Sequence, residues 1–158
     1  MVNLKESYSS MLKHFNTADH LVFVTYPLVK DVKLLLQVVD SLYKSMVLMV
    51  DVLLVYERTY RRIGSYSDNY EQKLQIFRDY CVPRYGFSKE FFPLLDELRV
   101  LVEAHRSSPV EFKRDDMYII CNEDYQMRTI SLEQVKGYVL NAKPFILKAG
   151  NIVRKDAL

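Results

Sequence analysis

The sequence predicts a mainly α protein: an antiparallel helical bundle of four to five helices with a small β-hairpin or meander near the C-terminus. Apolar residues recur at three- and four-residue spacing from Asn3 to Arg106, which is the period of an α-helix. After Pro109 the pattern changes to short β-branched and aromatic runs, which are typical of strands. With 158 residues and 49% hydrophobic composition, the chain has the size of one domain, so we expect residues 1–158 to form a single helical domain.

The first two helices are delimited by apolar spacing and by cap residues. The first helix is predicted from Asn3 to about Tyr26, and Pro27 ends or kinks it. Asp31 then provides an N-cap for a long helix over residues 31–63. Gly64 follows the last turn of this helix, and glycine is common just beyond a helix C-terminus, so we expect the helix to stop there.

Two shorter helices complete the predicted bundle before the strands. The third runs from about Tyr70 to Cys81, before the breaks at Pro83 and Gly86. Ser88 is a good N-cap for the fourth, which extends over about residues 89–106.

A small sheet and a last helix follow. Three strand-like runs lie within about residues 110–130, separated by acidic turns, and predict the hairpin or meander. Ser131 with Gln134 makes a capping box for a last helix over about residues 132–148. We expect a kink at Pro144, and we place Gly150 beyond the end of this helix.

One line of polar residues runs along the long helix, and the remainder of that helix is almost wholly apolar. At 100° per residue these side chains fall within about 40° of one line. We call this line the charged seam; its members are Lys33, Gln37, Asp40, Lys44, Asp51, Arg58 and Arg62. A helix that is apolar on its other sides must be enclosed by other helices or by a second copy of the chain, so we predict a homodimer.

The charged seam itself admits two interpretations. If the seam faces water, it is only the exposed edge of the bundle. If a second copy encloses it, Asp51 requires a cation across the interface, because an unpaired buried carboxylate is costly. We favour partial exposure with some burial at a dimer interface.

Composition excludes several classes of function. The net charge of +2 balances 22 basic against 20 acidic residues, so any contact with nucleic acid must be local. The two cysteines, the polar N-terminal segment and the charges that interrupt the long helix favour a cytoplasmic protein with no membrane span. His14, His20, Cys81 and Cys121 show no paired ligand spacing, and the four glycines are scattered, so we predict no metal site and no cofactor.

The predicted C-terminal end of the long helix interleaves bases with aromatic residues. Binders of single-stranded RNA use this combination, with arginine on phosphate and tyrosine stacked on a base. The candidate RNA-binding residues are Tyr56, Arg58, Tyr60, Arg61 and Arg62, with Tyr66 nearby. The alternative is an ordinary helix end, since the helix dipole favours cations at its C-terminus.

The fourth helix contains the run Glu97-Leu-Arg99-Val100-Leu-Val-Glu-Ala-His105-Arg106, and this run resembles the HEPN family. Members of that family are helical bundles, commonly dimers. In their active branches an arginine, four to six intervening residues and a histidine serve metal-independent RNA cleavage. The resemblance implies that Arg99 binds phosphate and that His105 transfers a proton, which suits a group that titrates near neutrality. The segment from Ser108 to Tyr125 also looks like small archaeal proteins, which implies no activity.

Helix geometry sets a condition on this pair. Six residues place Arg99 and His105 about 120° apart and about 9 Å along the axis, so an unbroken helix cannot aim both at one phosphate. A second subunit or an unwound final turn would be required. Val100 departs from the polar residue that often follows the arginine in the family, and a half-buried structural histidine is the alternative role for His105.

Two hypotheses of different class follow from these patterns. The leading one is a small helical interaction module that dimerises and contacts RNA, a nucleotide or a protein partner. The rival is a metal-independent HEPN-type endoribonuclease that uses Arg99 and His105. The observation that separates them is whether these two side chains converge on one exposed cleft.

Overall fold

The protein, seen in a computed structural model that describes residues 3–157, is a helical bundle with a small antiparallel sheet, as the sequence predicts. The described residues form five helices and three strands. Helix α1 comprises Leu4–His20, a π-helical turn at Leu21–Thr25 and Tyr26–Val29; α2 is Lys33–Thr59; α3 comprises Tyr70–Ile76, a π-helical turn at Phe77–Cys81 and Val82–Tyr85; α4 is Phe91–Ser107; and α5 is Leu132–Ala157. Strands β1 (Val110–Arg114), β2 (Met117–Cys121) and β3 (Met127–Ser131) pair in sequence order as a meander.

The three predicted cap residues form hydrogen bonds at the starts of their helices, but the capping box of Ser131 and Gln134 is half formed, because the Gln134 side chain donates to Tyr138. Asp31, Ser88 and Ser131 each accept a hydrogen bond from a backbone N–H two or three residues further on, at 3.0, 3.2 and 3.2 Å. Each bond satisfies an N–H group that has no partner within the first turn of its helix. These caps fix the starts of α2, α4 and α5.

Helices α1 and α3 end in the same way, with a π-helical turn followed by a proline. A proline inside a helix has no N–H to donate, and its ring collides with the carbonyl four residues earlier. The wider π turns before Pro27 and Pro83 accommodate this change. Both helices then stop at a residue in the left-handed region, Lys30 with φ 56° and Gly86 with φ 68°. Pro27 therefore widens the helix before it, and the helix ends after Val29.

The prediction that Gly64 ends the long helix was wrong. Helix α2 ends at Thr59, and Arg61 adopts the left-handed conformation with φ 59°. The N–H of Arg62 donates to the carbonyl of Glu57, and that of Arg61 to Arg58, both at 2.9 Å, which is the Schellman pattern. The turn thus closes three residues before the glycine, with an arginine where glycine is usual.

The predicted end of α5 at about residue 148 was also wrong. The helix continues through Pro144 and Gly150 to Ala157. Gly150 is buried because Tyr8 of α1 lies against it, and a Cβ at this position would be 3.3 Å from the Tyr8 hydroxyl. Gly150 therefore marks a close approach between α1 and α5 rather than a helix end.

Helix α2 lies at the centre of the bundle, and its charged seam has the predicted exposure. Every member of the seam is exposed or half-buried, whereas Leu42, Leu53 and Leu54 are fully buried. Asp51 finds its cation within the chain, in Lys73 of α3 at 2.8 Å. The apolar sides of α2 are covered by the other elements, which removes the argument that led us to expect a dimer; the dimer itself stays a prediction.

A helix that crosses a bilayer needs about 20 consecutive, predominantly apolar residues. Within residues 3–157, none of the helices combines the necessary length with sufficiently continuous apolar character.

Candidate functional site

A fully buried carboxylate, Glu57, organises the C-terminal end of α2. Its exposed fraction is 0%. The hydroxyl of Tyr85 donates a short hydrogen bond to Glu57 Oε1. Arg62 Nη1 lies 3.4 Å from Oε2, and Arg84 Nε lies 3.7 Å from Oε1. Two guanidinium groups and a phenol, drawn from α3 and from the turn after α2, therefore surround one carboxylate.

The same end of α2 stacks arginine on tyrosine. The Arg62 guanidinium lies over the rings of Tyr60 and Tyr56, at 4.8 and 5.6 Å from their centroids. Arg58 lies 5.8 Å from the centroid of Tyr66. Such cation–π contacts hold the long side chains in place. One face of each ring already contacts arginine, so a base would have to use the remaining exposed surface, which is largest on Tyr60 at 47%.

Three arginines lie at or just after the C-terminal end of α2, and Arg84 of α3 joins them through Glu57; we call Arg58, Arg61, Arg62 and Arg84 the arginine cluster. Within the described residues, ion pairs to carboxylates engage Arg62 and Arg84 but not Arg58 or Arg61, both of which are exposed. The single buried charge of Glu57 offsets only part of the positive charge. The cluster is thus a local basic surface on a chain whose overall charge is nearly balanced.

Two proton donors behind the cluster, Tyr85 and Cys81, are held in their neutral forms. Burial and the hydrogen bond to Glu57 raise the pKa of Tyr85 to about 12. Burial, together with the charge of Glu57, raises the pKa of the Cys81 thiol to about 12. A thiol with so high a pKa is a packing group and a poor nucleophile at neutral pH.

The sequence identified the basic and aromatic residues at the end of α2 and in the turn after it, but it did not identify Glu57, Arg84 or Tyr85. A signal for Glu57 was present, because it lies four and seven residues after Leu53 and Val50 on the buried face of α2. The contribution of α3 depends on the packing of distant segments, which no local pattern records.

The two residues suggested by the HEPN resemblance have separate partners. Arg99 donates to Asp96 at 2.6 Å and to Glu103 at 3.1 Å on α4 itself, and these bonds raise its pKa further. Its side chain lines a shallow groove between α3 and α4 that includes Tyr70 and Arg78. The structure does not bring His105 into this groove.

His105 lies at the other side of α4, beside the sheet. Its Nδ1 is 2.5 Å from Glu111 Oε1, and the Tyr118 hydroxyl donates to Glu111 Oε2 at 2.6 Å. Burial and this hydrogen bond raise the pKa of Tyr118 to about 12. The His105 side chain is 47% exposed. A carboxylate on Nδ1 orients an imidazole and leaves Nε2 for proton transfer, and the same contact also ties α4 to the sheet.

Among the described residues, no group of three or more histidine, cysteine, aspartate and glutamate side chains is arranged to hold a metal ion.

Comparison with known proteins gives one partial similarity. No protein-family model matches the chain, and no solved structure matches it. A stretch of 67 residues, 42% of this chain, is 39% identical to a shikimate dehydrogenase (NADP(+)) of Pelagibacter ubique. The match covers 25% of the length of that protein, so it does not establish a family for this chain.

Proposed function

We propose that this protein is a helical interaction module that binds single-stranded RNA through the arginine cluster. The observation that carries the proposal is the convergence of Arg62 and Arg84 on the fully buried carboxylate of Glu57, with tyrosine rings packed against Arg62 and Arg58. Guanidinium groups match phosphate oxygens in geometry and charge, and tyrosine edges and faces contact bases.

The alternative is an ordinary helix end, where the helix dipole favours cations. This alternative accounts for one or two basic residues but not for the position of Arg61. This residue has a φ of 59°, a conformation that costs a residue other than glycine about 1 kcal/mol. Its side chain is exposed and forms no ion pair within the described residues. A charge held at an energetic disadvantage, on a surface that already carries three arginines, favours a role in binding.

Arg61→Gly gives a sharp test, because it removes one charge and at the same time relaxes the backbone. Lys30→Gly is the matched control: Lys30 is also exposed, basic and left-handed, with φ 56°, and it precedes the opposite end of α2, about 40 Å away. We expect both variants to melt at or above the temperature of the parent protein. Only Arg61→Gly should weaken binding of a fluorescent oligouridine, measured by anisotropy.

The salt dependence of the same titration identifies phosphate contacts. Each lost contact to a single strand should lower the slope of log affinity against log salt by about 0.7. Arg58→Ala should act as Arg61→Gly does, and Lys30→Gly should leave the slope unchanged. Equal binding by the parent, Arg58→Ala and Arg61→Gly would overturn the proposal, as would equal losses in Arg61→Gly and Lys30→Gly.

A second candidate is the HEPN-type ribonuclease, and the contact between His105 and Glu111 is the observation that favours it. If the protein is such an enzyme, it should cleave RNA in the presence of a chelator and leave a 2′,3′-cyclic phosphate. His105→Ala should then abolish cleavage while the fold survives. We expect no cleavage, because Arg99 is engaged by Asp96 and Glu103 away from His105.

Self-association and location complete the proposal. We retain the homodimer as a prediction, and light scattering at micromolar concentration tests it, since a monomer mass would contradict it. The two free cysteines, Cys81 and Cys121, fit a reducing compartment such as the cytoplasm. The partial match to a dehydrogenase of which it covers a quarter adds no activity to this proposal.

A further inference from the structure

A cleft of about 580 Å³ opens between α4 and α5, beside the turn that joins α3 to α4. This volume lies within the range that accommodates small organic ligands. Its apolar surface consists of side chains from that turn and from both helices: Phe87, Pro93, Leu94, Pro144 and Phe145. A second groove of about 530 Å³ continues it towards β3 and shares Pro93, Glu97 and Tyr138 with it. None of these residues belongs to the arginine cluster.

The charged groups of this cleft are mainly acceptors. Glu90 and Glu97 stand two turns apart on the α4 side, and both are exposed. The only ammonium group among the lining residues, that of Lys148, is already engaged: it donates to the Gly86 carbonyl at 2.9 Å and lies 5.1 Å from the centroid of Phe87. These neutral partners leave the charge of Lys148 in place, and two carboxylates against one ammonium give the lining of the cleft one net negative charge.

Glu97 is held in place before any ligand arrives. The Tyr138 hydroxyl donates to Glu97 Oε1 at 2.7 Å, and Gln134 Nε2 in turn donates to the Tyr138 oxygen at 2.5 Å. Glu97 Oε2 takes no part in this chain of hydrogen bonds, so the carboxylate retains acceptor capacity.

The α5 wall is mostly uncharged. Pro144 lines the cleft with an apolar ring and has no N–H to donate. Asn141 lies on the same turn and also lines the cleft. The Asn141 amide can donate as well as accept, so the preference of the cleft for a cation depends on its two glutamates.

From this complementarity we propose that the cleft binds a small organic cation, namely an amine carried on an aromatic ring. The ring would pack on Phe87, Leu94 and Phe145, and the ammonium would donate to Glu97 and Glu90. This site is independent of the proposed RNA surface, and its failure would leave that proposal untouched.

Three probes with the same ring and different charge test the proposal on the purified full chain: phenethylamine, phenethyl alcohol and phenylpropionate. Binding is followed in amide nitrogen–proton correlation spectra at millimolar probe concentration. We expect phenethylamine to bind about tenfold more tightly than the alcohol, and the carboxylate to bind most weakly. The shifted signals should include Gly86, Phe87 and Asn141.

Variants of the lining residues distinguish the contribution of charge to probe binding from the contribution of the shape of the cleft. Glu97→Gln keeps an oxygen that can accept from Tyr138 and should reduce the affinity for phenethylamine to that for the alcohol. Glu90→Gln, at an exposed position, provides the same test if Glu97→Gln fails to fold. Asn141→Trp should fill the cleft and abolish binding of all three probes, whereas Glu123→Gln, on the distant turn between β2 and β3, should change nothing.

The proposal is overturned by any of three results. These are the absence of shifts with phenethylamine at millimolar concentration, equal binding of the three probes, and unchanged binding of phenethylamine to Asn141→Trp. None of them depends on RNA, so the outcome is distinguishable from that of the oligouridine titrations.

Discussion

Glu57 shows how one residue joins stability to the candidate interface. Its position on the apolar face of α2 forces the carboxylate into the core, where a charge needs several partners. Tyr85, Arg62 and Arg84 supply them. Both arginines remain partly exposed. The side chains that pair with the buried carboxylate therefore also present two guanidinium groups at the surface.

Glu57→Ala should therefore be among the most destabilising single changes in the chain. Loss of the carboxylate leaves a part-buried Tyr85 hydroxyl without its acceptor and opens a gap in the core, at a cost of about 2–4 kcal/mol in the free energy of unfolding. Glu123→Ala, in an exposed turn, should change it by less than about 0.5 kcal/mol. Urea unfolding measures both, and similar small losses would show that Glu57 contributes little.

The raised pKa of Tyr85 predicts that the folded protein loses stability at alkaline pH. Its folded pKa is raised to about 12 from an ordinary value of 10, so the unfolded chain loses this proton first. The contribution of Tyr85 to stability is then complete below pH 10 and is lost as the pH rises to about 12.

The comparison with Tyr85→Phe isolates this effect. At neutral pH the variant should be less stable than the parent, and the difference in melting temperature should vanish between pH 10 and about 12. Tyr125→Phe is the control, because Tyr125 is 87% exposed. A difference between parent and Tyr85→Phe that stays constant across this range would contradict the assignment.

At the scale of helices and strands, the sequence correctly predicted the features that short-range patterns determine. Apolar spacing located the helices, the change of period located the meander, and the caps at Asp31, Ser88 and Ser131 act as expected. The two wrong helix ends arose because a glycine was interpreted as the residue that terminates the helix. Arg61 closes α2 through its own backbone, and Gly150 lies inside α5 because Tyr8 approaches it. The first feature is a local backbone turn formed by a residue that rarely adopts it, and the second depends on tertiary packing, which overrides local preference.

Two glycines within α5 give a matched pair of tests. A Cβ at Gly137 meets nothing within 4 Å, so Gly137→Ala should gain the helix preference of alanine, about 0.5–1 kcal/mol in the free energy of unfolding. A Cβ at Gly150 would be 3.3 Å from the Tyr8 hydroxyl, so Gly150→Ala should lose part or all of this gain. Thermal unfolding of the two variants measures the difference, and equal gains would mean that α1 and α5 adjust freely at this contact.

The whole molecule is organised along α2. The arginine cluster lies at the C-terminal end of this helix, and the sheet lies near its start, where Lys113 of β1 pairs with Asp31 at 2.9 Å. The sequence revealed the basic and aromatic residues of α2 but not their partners Arg84 and Tyr85, because these come from a segment whose position is fixed only when α3 packs on α2. The sequence did not predict the cleft between α4 and α5 for the same reason, since its walls come from segments that are distant in the chain.

The sheet and the bundle share one core, which predicts a single cooperative unfolding transition. Ile120 of β2 and Leu53 of α2 are both almost fully buried in the same cluster of apolar side chains. Ile120→Ala and Leu53→Ala should each lower the free energy of unfolding by about 2–5 kcal/mol, whereas Lys33→Ala on the charged seam should cost far less.

Two probes decide whether this transition is shared. Far-ultraviolet circular dichroism reports the helices, and the amide signals of β1, β2 and β3 in nitrogen–proton correlation spectra report the sheet. Coincident urea transitions in the parent and in both core variants would establish one domain, because a separately folding sheet would unfold at its own midpoint. A meander of three short strands is too small to be stable alone, so Ile120→Ala should shift the helical signal as fully as Leu53→Ala does. Loss of the sheet with an unchanged helical transition would contradict the single domain.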